Sequence, residues 1–204
     1  MVLAMDVSSQ TKTQAHHFEP TSEIDGRTLR TFVLAGGCFW CLDAVYQRTR
    51  GVHSVISGYT GGNTSHPDYH QVCTGTTGHA EAVAVTFDES VVPAEVILDM
   101  FFTLHDPTTL NRQGYDVGTQ YRSAMFPLDD AQRQDYERAN AKFAELYPDP
   151  IVTTMEQPAD FWVAEDIHQD YYTQYSQAGY CRVIIDPKLA KVKKYYGSWL
   201  NNES

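Results

Sequence analysis

Thr31-Phe32-Val33-Leu34-Ala35-Gly36-Gly37-Cys38-Phe39-Trp40-Cys41-Leu42-Asp43-Ala44-Val45-Tyr46-Gln47-Arg48 is the stretch from which the fold is read. The run from Thr31 to Ala35 is apolar and reads as a buried strand. Two glycines then permit a tight turn and a close approach of backbone to a ligand. From Leu42 the pattern is helical. A cysteine at such a strand-to-helix turn meets unpaired backbone N–H groups and the positive end of the helix dipole. Both favour thiolate over thiol. Phe39 and Trp40 are an odd pair for a turn unless something apolar is meant to sit there.

Working outward, strand 31–36 and helix 38–49 lead to strand 52–57. Residues 58–79 hold five glycines and read as a long loop. Strand 80–87 follows, then helix 93–105, with Pro93 near its start and Val96, Ile97, Met100, Phe101 and Leu104 on one stripe. A second long loop, 106–120, leads to strand 121–127. The order βαββαβ defines the fold class as α/β (α+β), a ferredoxin-like split βαβ sandwich with a mixed sheet and helices on one face. Beyond it come a charged helix, 129–147, a strand, 151–156, and a short helix, 163–175. The expected layout is an N-terminal tail or arm, 1–28, and a single catalytic domain, 29–204, whose last part, 175–204, is an irregular C-terminal arm.

The chain has 204 residues, 42% hydrophobic and 20% charged, a globular composition. Its 15 basic and 26 acidic residues give a net charge of -11, which argues against nucleic acid or an anionic membrane as partner. No apolar run has the length of a membrane span, and no basic segment precedes a signal-like core, so the expected location is cytoplasmic. Four cysteines are too few for a disulfide scaffold. In a reducing compartment the Cys38/Cys41 pair reads as catalytic, redox-active or metal-bound.

Each of these readings is separable. A zinc-bound structural module needs a second ligand pair, and Cys73, Cys181 and His79 are scattered. A general CxxC disulfide oxidoreductase usually has small or rigid residues between its cysteines, whereas here they are Phe39 and Trp40. Glu81 is the second signal. In strand 80–87 it shares a face with Val83, Val85 and Phe87, which leaves two readings: a carboxyl partly desolvated and raised towards a proton donor's pKa, or a strand-end residue whose head reaches water. Tyr69, Asp116 and Tyr121 lie at the ends of the two long loops and together fit a small polar group. His66, His70, His79, His105 and His168 show no metal spacing and read as hydrogen-bonded structural residues. Cys73 is expected to be structural as well.

The motifs resemble the A-type peptide-methionine sulfoxide reductases. They are Gly37-Cys38-Phe39-Trp40, Gly58-Tyr59-Thr60-Gly61-Gly62, Gly78-His79-Ala80-Glu81, His105-Asp106-Pro107-Thr108, Asn111-Arg112-Gln113-Gly114, Asp116 to Ser123, His168-Gln169-Asp170-Tyr171 and Gly179-Tyr180-Cys181. The resemblance implies reduction of the S epimer of methionine sulfoxide, free or in proteins. It implies Cys38 as nucleophile and Glu81 as the acid that protonates the sulfoxide oxygen. Tyr69, Tyr121 and Asp116 would hold that oxygen, and Phe39 and Trp40 would wall the methyl group. It implies no metal or organic cofactor, only an external thiol reductant such as thioredoxin, and the chain is expected to be a monomer. For the second cysteine, which resolves the sulfenic acid, there are two candidates: Cys181, the preferred one, by the resemblance, and Cys41 by its spacing from Cys38, where a helical turn strains the disulfide.

Overall fold

The chain is described by a computed structural model over residues 13–201. In chain order its elements are β1 (Ala15–His16), β2 (Thr21–Ile24), β3 (Arg27–Gly36), α1 (Phe39–Tyr46), β4 (Val52–Thr60), α2 (Tyr69–Cys73), β5 (Ala80–Asp88), α3 (Ala94–Leu104), β6 (Arg112–Gln113), β7 (Asp116–Val117), β8 (Ser123–Phe126), α4 (Asp130–Ala144), β9 (Thr154–Met155), β10 (Phe161–Val163), α5 (Tyr171–Tyr175) and α6 (Asp186–Tyr196).

The central strands run β4–β5–β3–β8, and each neighbouring pair is antiparallel. With α1 and α3 as the crossovers, this is the split βαβ arrangement read from the sequence. The sheet is mixed because β9 adds to β8 in parallel. Alternation sorts the side chains by face. Phe32 and Leu34 of β3, Val83, Val85 and Phe87 of β5, and Met125 of β8 pack against residues of α1, α3, α4 and α6. Val33, Ala35, Ala80, Ala82, Ala84, Ala124 and Phe126 face the other way, onto Phe161 and partly buried Phe18 and Leu128. The alanines of β5 leave room for that thin cover, so the helices occupy one face. Each fully buried ring on the helix side contributes about 1.5–3 kcal/mol over its exposed state.

Three expectations are corrected. Residues 1–12 of the expected arm lie outside the described residues, but 13–28 are not a loose arm. β2 pairs with β3 across the two-residue turn Asp25-Gly26, whose φ values are +50° and +73°. Positive φ at both central residues fits a hairpin turn whose twist suits the strands. β1 pairs with β10. Second, a helix is expected from 163, where Val163 instead ends β10, and Gly58-Tyr59-Thr60 is expected as loop. Instead β4 continues to Thr60, with Gly58 and Tyr59 opposite Val163 and Trp162. Gly58 marks a close approach rather than a turn: a Cβ there would lie 2.3 Å from the Phe161 ring. Third, the C-terminal arm is helical. Ile185, Leu189, Val192 and Tyr196 fall at helical spacing and pack on the core.

Candidate active site

β3 ends at Gly36, and the chain turns through Gly37, whose φ is +85°. A Cβ at Gly37 would meet the Gln113 side chain at 2.6 Å, so this position needs glycine for both conformation and space. Cys38 follows as the N-cap of α1, with Cys41 N–H donating to its carbonyl at 3.1 Å. The thiol is buried, 6% exposed.

Glu81 sits on β5 next to this turn and is 1% exposed. The Phe39 N–H, one of the free donors at the start of α1, donates to its Oε2 at 3.0 Å. Its Oε1 is buried without a hydrogen-bond partner. Burial raises the carboxyl to about pH 8; the Phe39 N–H opposes this, and the charge of Asp116 adds to it. Glu81 is therefore an acid that still holds its proton at neutral pH, beside a thiol, with one oxygen unengaged.

The Cys38 thiol departs from expectation. Burial pushes it well up, and the contacts with Cys41 and Glu81 add to this. The helix start does not overcome desolvation. Cys41 moves the other way, lowered to about 7 by hydrogen bonding from Cys38, with burial opposing and the Lys188 ammonium assisting. The two thiols thus share one easily lost proton, and the resting negative charge favours Cys41.

The tyrosines converge as expected. Tyr69 opens α2, whose N-cap Asp68 accepts the Gln71 N–H in a capping box. Tyr121 ends a short helical turn held by Arg122, whose Nε and Nη2 donate to Glu156 at 2.7 and 2.9 Å. Both phenols interact with the Cys73 thiol, and burial and Glu81 hold both in the protonated, donor form. Asp116 enters through a partner: Tyr180 donates to its Oδ2 at 2.8 Å, and the same hydroxyl interacts with Cys38 and Cys41.

The aromatic pair divides its labour. Phe39 is wholly buried and packs on Tyr59 and His168. Half-buried Trp40 is the outward wall. Tyr171 stacks on its indole at 3.8 Å and 8°, and Tyr180 meets it edge-on at 5.4 Å. Sequence reading by residue type missed Tyr171 and Tyr180, and took His168 as merely structural. All three lie in the C-terminal motifs His168-Gln169-Asp170-Tyr171 and Gly179-Tyr180-Cys181, which were the available signal. His79 and His105 are structural as read. His79 accepts the Gly62 N–H at 3.0 Å, and His105 bridges Phe101 O and Ser123 Oγ at 2.7 Å each.

Of the two candidate resolving cysteines, Cys41 interacts directly with Cys38. Cys181 is fully buried in the turn of Cys181–Ile185 before α6, where Cys41's charge reaches it. Among the described residues no group of three or more His, Cys, Asp or Glu is placed to hold a metal ion, and no helix is long and apolar enough to cross a membrane.

A family described as "Peptide methionine sulfoxide reductase" matches residues 30–199. A curated relative from Arthrobacter sp. (strain FB24), "Peptide methionine sulfoxide reductase MsrA", is 65% identical over 173 residues, 85% of this chain and 99% of its own length. Among solved structures, reduced Mxr1 from Saccharomyces cerevisiae aligns with TM-score 0.69 at 31% identity, over 79% of this chain and 93% of the yeast one. Mxr1 solved in complex with Trx2 shares the fold more loosely, with TM-score 0.51 at 22% identity, over 74% and 88%.

Proposed function

The chain belongs to the peptide methionine sulfoxide reductase family, and from that premise we propose that Cys38 attacks the sulfoxide sulfur while Glu81 protonates its oxygen. The overall activity is reduction of methionine-S-sulfoxide to methionine. The observation that carries the residue assignment is Glu81: buried, proton-holding at neutral pH, and with Oε1 unpartnered beside Cys38.

Sulfoxide oxygen is a poor leaving group until it is protonated, so the acid has to adjoin the nucleophile. Cys41, carrying the pair's charge, is placed to take the Cys38 proton as the sulfur attacks. Tyr69 and Tyr121 donate to the sulfoxide oxygen, and Asp116, held by Tyr180, acts on it through water. Trp40, backed by Phe39, takes the methyl group. Oxygen transfers to Cys38, methionine leaves, and the cysteine becomes a sulfenic acid. No metal or organic cofactor takes part in this scheme.

Cys41 is the resolving thiol in this reading. Its sulfur attacks the Cys38 sulfenic acid, forming a disulfide and releasing water. Cys181, which the charge of Cys41 reaches, would exchange with Cys41 one step later in this reading. An external dithiol of the thioredoxin type returns the enzyme to its reduced state, and a reducing cytoplasm is its natural setting. Single-turnover thiol counting separates the cysteines. Cys41→Ser should form the Cys38 sulfenic acid more slowly, for want of the Cys41 base, but accumulate it without a disulfide, whereas Cys181→Ser should still form a disulfide. The reverse pattern would make Cys181 the resolver.

The activity itself is tested with purified protein, dithiothreitol and each epimer of methionine sulfoxide. Turnover of the S form alone is expected. Turnover of the R form alone, or of neither, overturns the reading.

A further inference from the structure

The wall of the substrate pocket has a support that the reaction scheme does not use. Glu165 lies between β10 and the short helical turn Asp166–His168, on a segment tied to β4 by the Ala164 N–H donating to Ser57 O at 2.9 Å. Its carboxylate serves three elements. Oε1 accepts the Tyr69 N–H at 2.8 Å, at the start of α2. Oε2 accepts the Tyr59 hydroxyl of β4 at 2.7 Å. Oε2 also lies 3.7 Å from His168 Nε2.

His168 extends the chain of contacts. Its Nδ1 accepts from the Trp40 indole Nε1–H at 3.3 Å. Burial lowers the His168 pKa, so the ring is neutral at pH 7. A neutral ring that accepts at Nδ1 carries its proton on Nε2, and that proton faces Glu165. The ring also packs on Tyr69 at 4.4 Å and on Trp40 at 5.7 Å. A carboxylate facing Nε2–H selects this tautomer, and only this tautomer leaves Nδ1 free to accept from Trp40.

We propose that Glu165 is a positioning residue for the reductase reaction, which fixes the His168 tautomer and thereby sets Trp40 and Tyr69, whose rings lie 6.2 Å apart at 23°, as adjoining parts of the substrate pocket wall. The proposal rests on the reading that Trp40 and Tyr69 line that pocket. Glu165 touches no reacting atom, so its effect falls on substrate binding more than on the chemical step.

Glu165→Gln is nearly isosteric and keeps an acceptor for the Tyr69 N–H. Its amide, however, cannot offer a carboxylate oxygen to Tyr59 and His168 together. The expected result is a KM for methionine sulfoxide raised about fivefold or more, with the saturating rate of sulfenic acid formation within about twofold of wild type. Nitrogen-15 NMR of the His168 ring should show the Nε2–H tautomer in wild type and loss of that preference in Glu165→Gln. An unchanged KM together with an unchanged tautomer overturns the proposal. So does an Nδ1–H tautomer in the wild-type protein, a measurement that needs no variant and stands even where Glu165→Gln does not fold. The underlying pocket reading fails separately: Trp40→Ala with a wild-type KM removes Trp40 from the pocket, whatever the state of the His168 ring.

Discussion

Cys38→Ser is expected to lose turnover by at least about 10⁴-fold, because one residue carries both the attack on sulfur and the oxygen that leaves with it. A serine hydroxyl in the same place keeps the shape of the turn but not the nucleophile. Neither Cys41 nor Cys181 can substitute. Cys41 lies one helical turn further along α1, and Cys181 lies in the segment before α6, away from the turn that presents Cys38 beside Glu81. The protein should remain folded, since Gly37 and the Cys41 N–H to Cys38 O bond shape the turn without the thiol. A Cys38→Ser protein that keeps most of its dithiothreitol-dependent turnover moves the nucleophile elsewhere.

Glu81→Gln is expected to slow sulfenic acid formation by about 10²–10⁴-fold, the range for removing a positioned general acid. The amide can still accept the Phe39 N–H, and it can donate a hydrogen bond, but it cannot deliver a proton. A second consequence has the opposite sign. The folded-state pKa of about 8 lies above the ordinary 4.5, so the folded protein binds the proton more tightly than the unfolded chain does. Stability from this group is full below about 4.5 and is lost as pH rises towards 8. At pH 7 the cost is on the order of 3 kcal/mol, from 2.5 units at about 1.36 kcal/mol each. Glu81→Gln should therefore melt higher than wild type at pH 7, with the gap closing towards pH 4.5. A variant that is slower but also less stable would make Glu81 a structural residue first.

Much of this was legible in the sequence for identifiable reasons. The strand, glycine turn and helix around Cys38 are strong local signals. The odd residues of β5 are uniformly apolar except for Glu81, a pattern that marks that carboxyl as a candidate for partial desolvation but does not separate it from a strand-end residue reaching water. The misreadings also have causes. Asp25-Gly26 is a strong hairpin signal, but its flanking strand Thr21-Ser22-Glu23-Ile24 is half exposed and lacks an apolar run. Gly58 reads as loop until Phe161, about a hundred residues on, is seen to need the space. The stripe from Ile185 to Tyr196 is interrupted by Pro187 and four lysines, so the charge concealed the helix. Glu165 and Tyr180 act through long-range contacts, with Tyr69 and with Asp116, which no local pattern reveals. The direction of the Cys38 shift likewise depends on burial, and that of Cys41 on its bond with Cys38 and then on Lys188, a distant residue of α6.

The most direct test of the Cys38–Glu81 pairing is the pH dependence of sulfenic acid formation in a single turnover, measured side by side in wild type and Glu81→Gln. Attack requires one proton gone from the cysteine pair, an ionisation near 7, and one proton present on Glu81, lost near 8. The wild-type rate should rise through about pH 7 and fall through about pH 8, and the falling limb should be absent from the slower variant. A wild-type rate that keeps climbing through pH 8 to 9.5, or a variant whose profile superimposes on it, contradicts the account.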